Sequence, residues 1–290
     1  MRADILVCLQ ALEEDVGLLD EAAFAPRADA LEDLDALMGR PGQGASLARL
    51  RRRARTLQRR LERVDAALFG RLREAIRDGA LRGEGLRCEL LRLAPSLQGE
   101  VDQGGYDALD ALIAGVLLDE PPPATVRPEL QGWDPEMVPY QPTPARVVLE
   151  LAGHVLADDV CYDLGAGLGQ VCVLVHLLSG VRAVGIEVDP ALWAYGERLA
   201  RGLRLGGVTF VAGDARRADL TPGTLFFLYT PFTGALLDAV LARLCQVAAT
   251  HPIRLASYGP CTPVVARQAW LVPEGSAHED PDRLAIFGSA

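Results

Sequence analysis

The chain contains no lysine and no asparagine; every basic side chain except histidine is arginine across its 290 residues. Neither missing residue can serve a catalytic or substrate-orienting role here. Both have A-rich codons, so a GC-rich genome accounts for the omission. Paired cysteines are lacking too. Cys8, Cys88, Cys161, Cys172, Cys245 and Cys261 are scattered without a C-x-x-C pair, which argues against a zinc site and a disulfide framework. Reduced, mostly buried thiols in a cytoplasmic protein are expected, with no metal. No apolar run approaches the ~20 residues needed to span a bilayer. The acids Glu13, Glu14 and Asp15 follow too short an apolar stretch for a signal peptide, so no membrane partner is expected. Positive charge is in deficit, at 29 arginines against 39 acids and a net −10. That opposes indiscriminate binding to nucleic acid or anionic membrane but allows a local basic patch.

Half of the residues are hydrophobic, enough for a sizeable core, and the length suits two domains or one large one. Residues 1–120 read as a helical domain. Ile5, Leu6, Leu9, Leu12, Val16 and Leu19 are spaced as on a helix, and a turn-rich stretch at 39–44 follows. Leu47, Leu50, Ala54, Leu57, Leu61, Val64 and Leu68 then step by three and four. That heptad-type seam, extended by Leu72 and Ile76, predicts a long coiled-coil-like helix over Ser46–Asp78, roughly 50 Å if unbroken. It offers a route to a homodimer through the N-terminal helices. Arg49, Arg51, Arg52, Arg53, Arg55, Arg59, Arg60 and Arg63 surround the seam. They read either as a phosphate-binding face or as a solvated face paired with the acids of Asp29–Asp35. No aromatic residue interleaves them, which removes base stacking. A further helix is expected over Tyr106–Leu118, followed by a proline-containing linker over 121–139 that opens with Pro121, Pro122 and Pro123.

From about residue 143 short apolar runs alternate with helix-length segments. Strands are expected at Val160–Asp163, Ala183–Glu187, Val208–Ala212, Leu225–Tyr229 and Ile253–Tyr258. Helices are expected near Leu168–Leu178, Ala191–Leu203 and Ala235–Ala248. The alternation predicts an α/β domain, a doubly wound and mostly parallel sheet. Gln268–Val272 and Arg283–Gly288 add a terminal hairpin and one antiparallel strand.

The first of these strands runs into Asp163-Leu164-Gly165-Ala166-Gly167-Leu168-Gly169-Gln170. A buried strand, a glycine turn and a helix start form a nucleotide-type site, because glycine permits positive φ and close approach of a ligand. The free N–H groups of a helix start favour polar or anionic atoms. The dinucleotide pattern G-x-G-x-x-G would place its third glycine where Gln170 stands. Asp163 would also repel a pyrophosphate. S-adenosylmethionine has no phosphate and carries an ammonium and a sulfonium, so an acid beside the glycines suits it. Open α/β sheets bind ligands at the carboxyl ends of their strands, and acids stand there in succession. Glu187 ends the second strand, where a carboxylate can accept both hydroxyls of a ribose. Asp214 follows the third, placed to accept from an adenine amino group.

The region 140–290 resembles a class I S-adenosylmethionine-dependent methyltransferase domain. Asp163 to Gly169 match that family's first motif, Val184-Gly185-Ile186-Glu187 its ribose-binding strand, and Gly213-Asp214-Ala215 its adenine-binding segment. The resemblance implies a seven-stranded sheet with the terminal hairpin. A narrower likeness is to non-SET histone lysine methyltransferases, whose Asp-Leu-Gly-x-Gly-x-Gly-Gln-Val core fits Asp163 to Val171. By that likeness Tyr140 and Thr143, in Tyr140-Gln141-Pro142-Thr143-Pro144, would close over the methionine end of the cofactor. Thr143 and Pro144 also read as the capped start of a helix. The match departs at Tyr229-Thr230-Pro231-Phe232, where amino-methylating enzymes carry Asn or Asp, then Pro-Pro and an aromatic. With Thr230 there, a protein or small-molecule amine or hydroxyl is favoured over nucleic acid as the methyl acceptor. Tyr229 and Thr230 are the candidate orienting groups, and Tyr229, Pro231, Phe232 and Tyr258 the candidate substrate wall. His154, His176, His251 and His278 lie away from the strand ends in sequence, so no general base is assigned. Two alternatives stay open. One is an adenosyl-binding module without catalysis that acts through its helical domain. The other is a nucleic-acid-binding protein that uses the arginine helix.

Overall fold

A computed structural model describes residues 2–39, 41, 44–95, 106–123, 134–275 and 279–290. The chain divides into two compact units. One comprises Met1–Leu81, Cys88–Val101 and Tyr106–Asp119; the other is mainly Glu120–Ala290, with Arg82–Arg87 and Asp102–Gly105.

The first unit is helical. Helix α1 (Arg2–Glu14) is followed by a 3₁₀ turn (Val16–Leu19), α2 (Phe24–Gly39) and α3 (Ala45–Arg77). Helix α4 (Gly83–Leu93) comes next and then α5 (Ala108–Leu117). Asp107 and Asp110 form a reciprocal capping box at the start of α5, satisfying N–H groups that the helix leaves unpaired. No helix of the described residues is long and apolar enough to cross a membrane.

The 33-residue α3 corrects the heptad reading. Its buried positions are Ala54, Leu57, Leu61, Asp65, Leu68, Leu72 and Ile76, stepping 3, 4, 4, 3, 4, 4. That is an eleven-residue repeat, close to the period of a straight helix, and it lacks the strict heptad that imposes a left-handed coiled coil. Val64 gives way to Asp65 because Arg27 enters from α2 with no exposed surface. Arg27 Nε donates to Asp65 Oδ1 at 2.6 Å, and Nη1 donates to the carbonyls of Leu18 and Asp20 at 3.0 and 2.7 Å. Its guanidinium lies 5.8 Å from the centre of the Phe24 ring. Burial pushes the Asp65 carboxyl upward, against the hydrogen bond and charge of Arg27. A charged residue at a core position is invisible to apolar periodicity.

The second unit is the expected α/β sheet. Its strands are β1 (Val160–Leu164), β2 (Arg182–Glu187), β3 (Val208–Ala212), β4 (Leu225–Tyr229), β5 (Arg254–Tyr258), β6 (Leu271–Glu274) and β7 (Ala285–Ser289). They lie in the order β3-β2-β1-β4-β5-β7-β6. The neighbours β3 to β5 are parallel, and β7 is antiparallel to both β5 and β6. Around the sheet run α6 (Ala145–Gly153), α7 (Gln170–Ser179), α8 (Pro190–Gly202), α9 (Gly234–Ala248) and the short α10 (Thr262–Ala266). Leu225 to Leu228 are fully buried, as an unbroken apolar run requires when both faces of a parallel strand are covered. The edge strand β6 tolerates Pro273, which has no N–H to donate. Strand β6 starts three residues later than expected because α10 and the turn after it occupy that stretch. Part of the expected linker, 124–133, lies outside the described residues.

Chain progression reverses between β1 and β4, so the connections that leave the carboxyl ends of these neighbours run to opposite sides of the sheet. A crevice opens at such a switch point.

Candidate functional site

The crevice is a cavity of about 320 Å³, within the size range of small-ligand pockets. The turn after β1 forms its floor. Gly165 is exposed with φ +96°, and Gly167 has φ +54° and is buried. A Cβ at Gly167 would collide with the Tyr140 ring, and one at Gly165 with Pro231. The turn is fastened to β2 by its own backbone. Gly165 and Ala166 N–H both donate to Ile186 O, at 2.9 and 3.0 Å. Gly167 N–H donates to Glu187 Oε2 at 2.7 Å. These three donors of the turn are therefore engaged; the N–H groups of the helix start, which the sequence offered as free, belong to α7 from Gln170 onward.

Four carboxylates line the cavity: Asp163, Glu187, Asp189 and Asp214. Among the described lining residues none is basic. Glu187 is 7% exposed. Its Oε1 accepts from Asp189 N–H at 2.8 Å while Oε2 holds Gly167. Burial raises its pKa, and those backbone donors oppose the rise. Asp163 is pushed up to about 8, by burial first and then by the charge of Glu187. Asp214 is held below the usual carboxylate range. Burial works against that, but the hydrogen bonds from Arg216 prevail. Arg216 Nε and Nη2 lie 2.9 and 2.6 Å from Asp214 Oδ2, so an adenine amino group would share that carboxylate with a guanidinium.

Nothing in the sequence distinguishes Asp189, where Asp189-Pro190 reads as a helix cap. It does cap α8 through Oδ1, which accepts from Ala191 N–H at 2.7 Å. Its other oxygen, Oδ2, is buried without a partner. A buried acceptor left unpaired costs about 1–3 kcal/mol, and a ligand donor would remove that cost. Val188, between the two acids, lines the cavity and is 42% exposed.

One wall is the strap Asp134–Thr143. Val138 N–H donates to Pro231 O at 3.0 Å, and Met137 bridges Phe232. Glu136 Oε2 accepts from Leu236 N–H at 2.7 Å, capping α9, whose own N-cap Thr233 makes no side-chain cap bond. Tyr140 lies over the glycine turn, with its hydroxyl donating to Gln170 Oε1 at 3.1 Å. Thr143 lines the cavity, but Pro144 is the N-cap of α6, without a side-chain cap bond. This corrects the expectation that Thr143 caps the helix.

The structure brings Tyr140, Thr143, Asp163, Gly165, Gln170, Glu187, Asp214, Ala215, Tyr229, Thr230, Pro231 and Phe232 together around the cavity. Gly167 lies beneath Tyr140, and a Cβ at Gly169 would strike the Phe210 ring; both glycines shape the turn from outside the lining. Tyr258 is a correction. It is 3% exposed, its ring centre lies 5.0 Å from that of Tyr229 at a tilt of 44°, and its hydroxyl accepts from Arg146 Nη2 at 3.2 Å. It supports Tyr229 from behind. His176 Nδ1 is 2.7 Å from Val181 O, and His251 Nε2 is 2.9 Å from Gly223 O. His278 lies outside the described residues.

Thr230 lines the cavity and is 6% exposed. Its hydroxyl donates to Tyr258 O at 3.2 Å and accepts from Cys261 N–H at 3.1 Å. These two bonds clamp the β4 loop to the β5 loop, and the hydroxyl oxygen keeps one lone pair. The residue's φ of +40° is strained for a β-branched side chain. Thr230→Val, which deletes the clamp, is expected to destabilise the protein by about 1–3 kcal/mol. Thr230→Ser keeps the hydroxyl and sheds the β-branch, so its melting temperature should match or exceed the parent's. A Val variant as stable as the parent would remove the clamp.

Asp163 gives a pH signature. Its folded-state pKa lies above the unfolded value of about 3.9, so the native state binds the extra proton. The stability this confers is complete below about pH 4 and is lost as pH rises towards 8. The melting temperature of the ligand-free protein should therefore fall over that window, and Asp163→Asn should flatten the fall. Parallel pH profiles for the two proteins would refute this.

No protein-family model matches the sequence, and no curated protein matches it. Among solved structures, the chain is similar to an RNA methyltransferase from Salinibacter ruber in complex with S-adenosyl-L-homocysteine. The identity is 26% over 51% of this chain and 92% of that one, with a TM-score of 0.38. It is also similar to a TehB-like SAM-dependent methyltransferase from Corynebacterium glutamicum, at 16% identity over 49% and 86%, TM-score 0.37. A third similarity is to precorrin-6y C5,15-methyltransferase from Geobacter metallireducens, at 17% identity over 51% and 89%, TM-score 0.38.

Proposed function

We propose that this chain is an S-adenosylmethionine-dependent methyltransferase whose acceptor is a protein or small-molecule amine or hydroxyl. The carrying observation is the chemistry of the cavity at the switch point. Four carboxylates line it, no basic lining residue is described, and the N–H groups of residues 165–167 already have partners. Such a site rejects phosphates and suits a ligand rich in hydrogen-bond donors and positive charge. The orphaned Asp189 Oδ2 and the exposed backbone of Gly165 fit the same ligand.

Asp163, beside exposed Gly165, would face the ammonium and sulfonium end, whose positive charge would displace the proton that burial holds on it in the ligand-free protein. Glu187 would take the ribose hydroxyls, and Asp214, Ala215 and Val188 the adenine. Tyr140, Thr143 and Gln170 would cover the methionine end. When bound, the cofactor supplies a methyl group already activated on sulfur, so the protein needs no nucleophile of its own. The chain's work is then to align the acceptor and exclude water, and alignment alone contributes several kcal/mol to such a step. Tyr229, Pro231 and Phe232 form the wall beside which the acceptor would lie. Thr230 holds that wall in place through its backbone bonds.

A non-catalytic adenosyl-binding module is the second reading, favoured by the Thr230 hydroxyl, whose bonds go to backbone. Incubating the protein with methyl-tritiated donor and a lysate fractionated into protein, nucleic acid and small molecules separates the two. Label in the protein or small-molecule fraction, lost in Glu187→Ala, supports the enzyme. Donor binding with no labelled fraction supports the module.

A further inference from the structure

We propose that the outward face of α3 docks the phosphodiester backbone of a nucleic acid. Between Arg49 and Arg63 the chain has eight arginines and one acid, Glu62. At 3.6 residues per turn, Arg49, Arg52, Arg59, Arg60 and Arg63 fall within an arc of about 100°, opposite buried Ala54, Leu57 and Leu61. The first and last stand about 21 Å apart along the axis. All five are exposed.

The sequence allowed this face to be neutralised by the acids of Asp29–Asp35, and the structure corrects that reading. The side-chain bond it describes from α3 to that segment is from Gln58, not an arginine, to Asp35 Oδ1 at 3.1 Å. Arg53, at the margin of the arc, pairs with Glu13. Among the described residues none of the five has an ion pair. Elsewhere several of the chain's arginines pair with acids, as Arg71 with Glu21, Arg73 with Asp119, Arg92 with Glu89 and Arg254 with Asp159; those without an ion pair among the described residues, such as Arg182 and Arg267, stand apart in the sequence and are not clustered. Acids outnumber arginines by ten, so five neighbouring guanidiniums without a counter-ion point to one supplied from outside.

Arg49, Arg52, Arg53 and Arg60, with Thr56 and Glu13, border a hollow of about 370 Å³, which has room for a phosphodiester. Guanidinium forks bind phosphate oxygens in pairs. The arc carries no aromatic side chain, so contact is with the backbone and not by base stacking. It also carries no exposed large apolar residue, which a helix lying in a membrane interface requires. Docking here is separate from methyl transfer and does not make the nucleic acid the acceptor.

Fluorescence anisotropy of the full chain with labelled 20-base-pair RNA and DNA duplexes, and with single strands of equal length, tests this. Four neutralised phosphates predict a loss of about a hundredfold in affinity between 50 and 200 mM salt. R52Q/R59Q/R60Q/R63Q should lose at least tenfold at 50 mM, with a slope flatter by about one per contact removed. R59Q/R63Q, which leaves the hollow intact, should lose less; circular dichroism checks that both variants fold. No saturable binding at 50 mM salt would overturn the proposal, as would equal binding by the quadruple variant. Salt-sensitive self-association that the variant abolishes, without nucleic-acid binding, would also overturn it by assigning the face to a second copy of the chain.

Discussion

Glu187→Ala is expected to weaken S-adenosylmethionine binding at least a hundredfold. The carboxylate sits at the end of β2, 7% exposed, with one oxygen on Gly167 N–H and the other on Asp189 N–H. Each oxygen keeps a second lone pair, and together these can accept two ribose hydroxyls. Hydrogen bonds to a charged group contribute about 1.5–3 kcal/mol each, so losing two costs about 3 kcal/mol or more, which is at least a hundredfold. Glu187→Gln should rescue little. Both oxygens already accept from N–H groups, so an amide nitrogen at either position sets donor against donor. Calorimetric titration of both variants, with melting temperatures as a folding control, reads this out. Folded variants that bind like the parent would remove Glu187 from the ribose site.

Asp65→Ala should destabilise the helical unit by about 3–5 kcal/mol, because it leaves a charge buried without its partner. The guanidinium of Arg27 has no exposed surface, and after the substitution only backbone carbonyls and the Phe24 ring would face it. The double variant Arg27→Met/Asp65→Leu should recover most of the loss, since a well-packed apolar pair often equals a buried ion pair. Urea denaturation followed by circular dichroism measures both. A single variant within about 1 kcal/mol of the parent would show that the pair does not organise α2 against α3.

The sheet was legible because its strands are uninterrupted apolar runs between turns, as in Leu225–Tyr229. The cleft's acids were legible because Glu187 and Asp214 stand just where those runs end. Long-range pairings were not. Nothing local in Glu136 reveals that it caps a helix a hundred residues onward, or in Val138 that it pairs with Pro231. Arg27 and Asp65 defeat apolar periodicity because each is charged and buried. The glycine turn is plain in the sequence, but the engagement of its N–H groups emerges only when β2 is laid beside it. Thr230 looked like a polar group at a strand end; its positive φ and two backbone bonds turn it into a clamp.

Titrating the purified chain with S-adenosylmethionine, its demethylated product, ATP and NAD⁺ compares ligands that share an adenosine and differ in phosphate and charge. The carboxylate-lined cleft should bind the first two saturably and reject both phosphate-bearing ligands. Binding of ATP or NAD⁺ in preference to S-adenosylmethionine, or binding of none of the four, would contradict the assignment of the cleft.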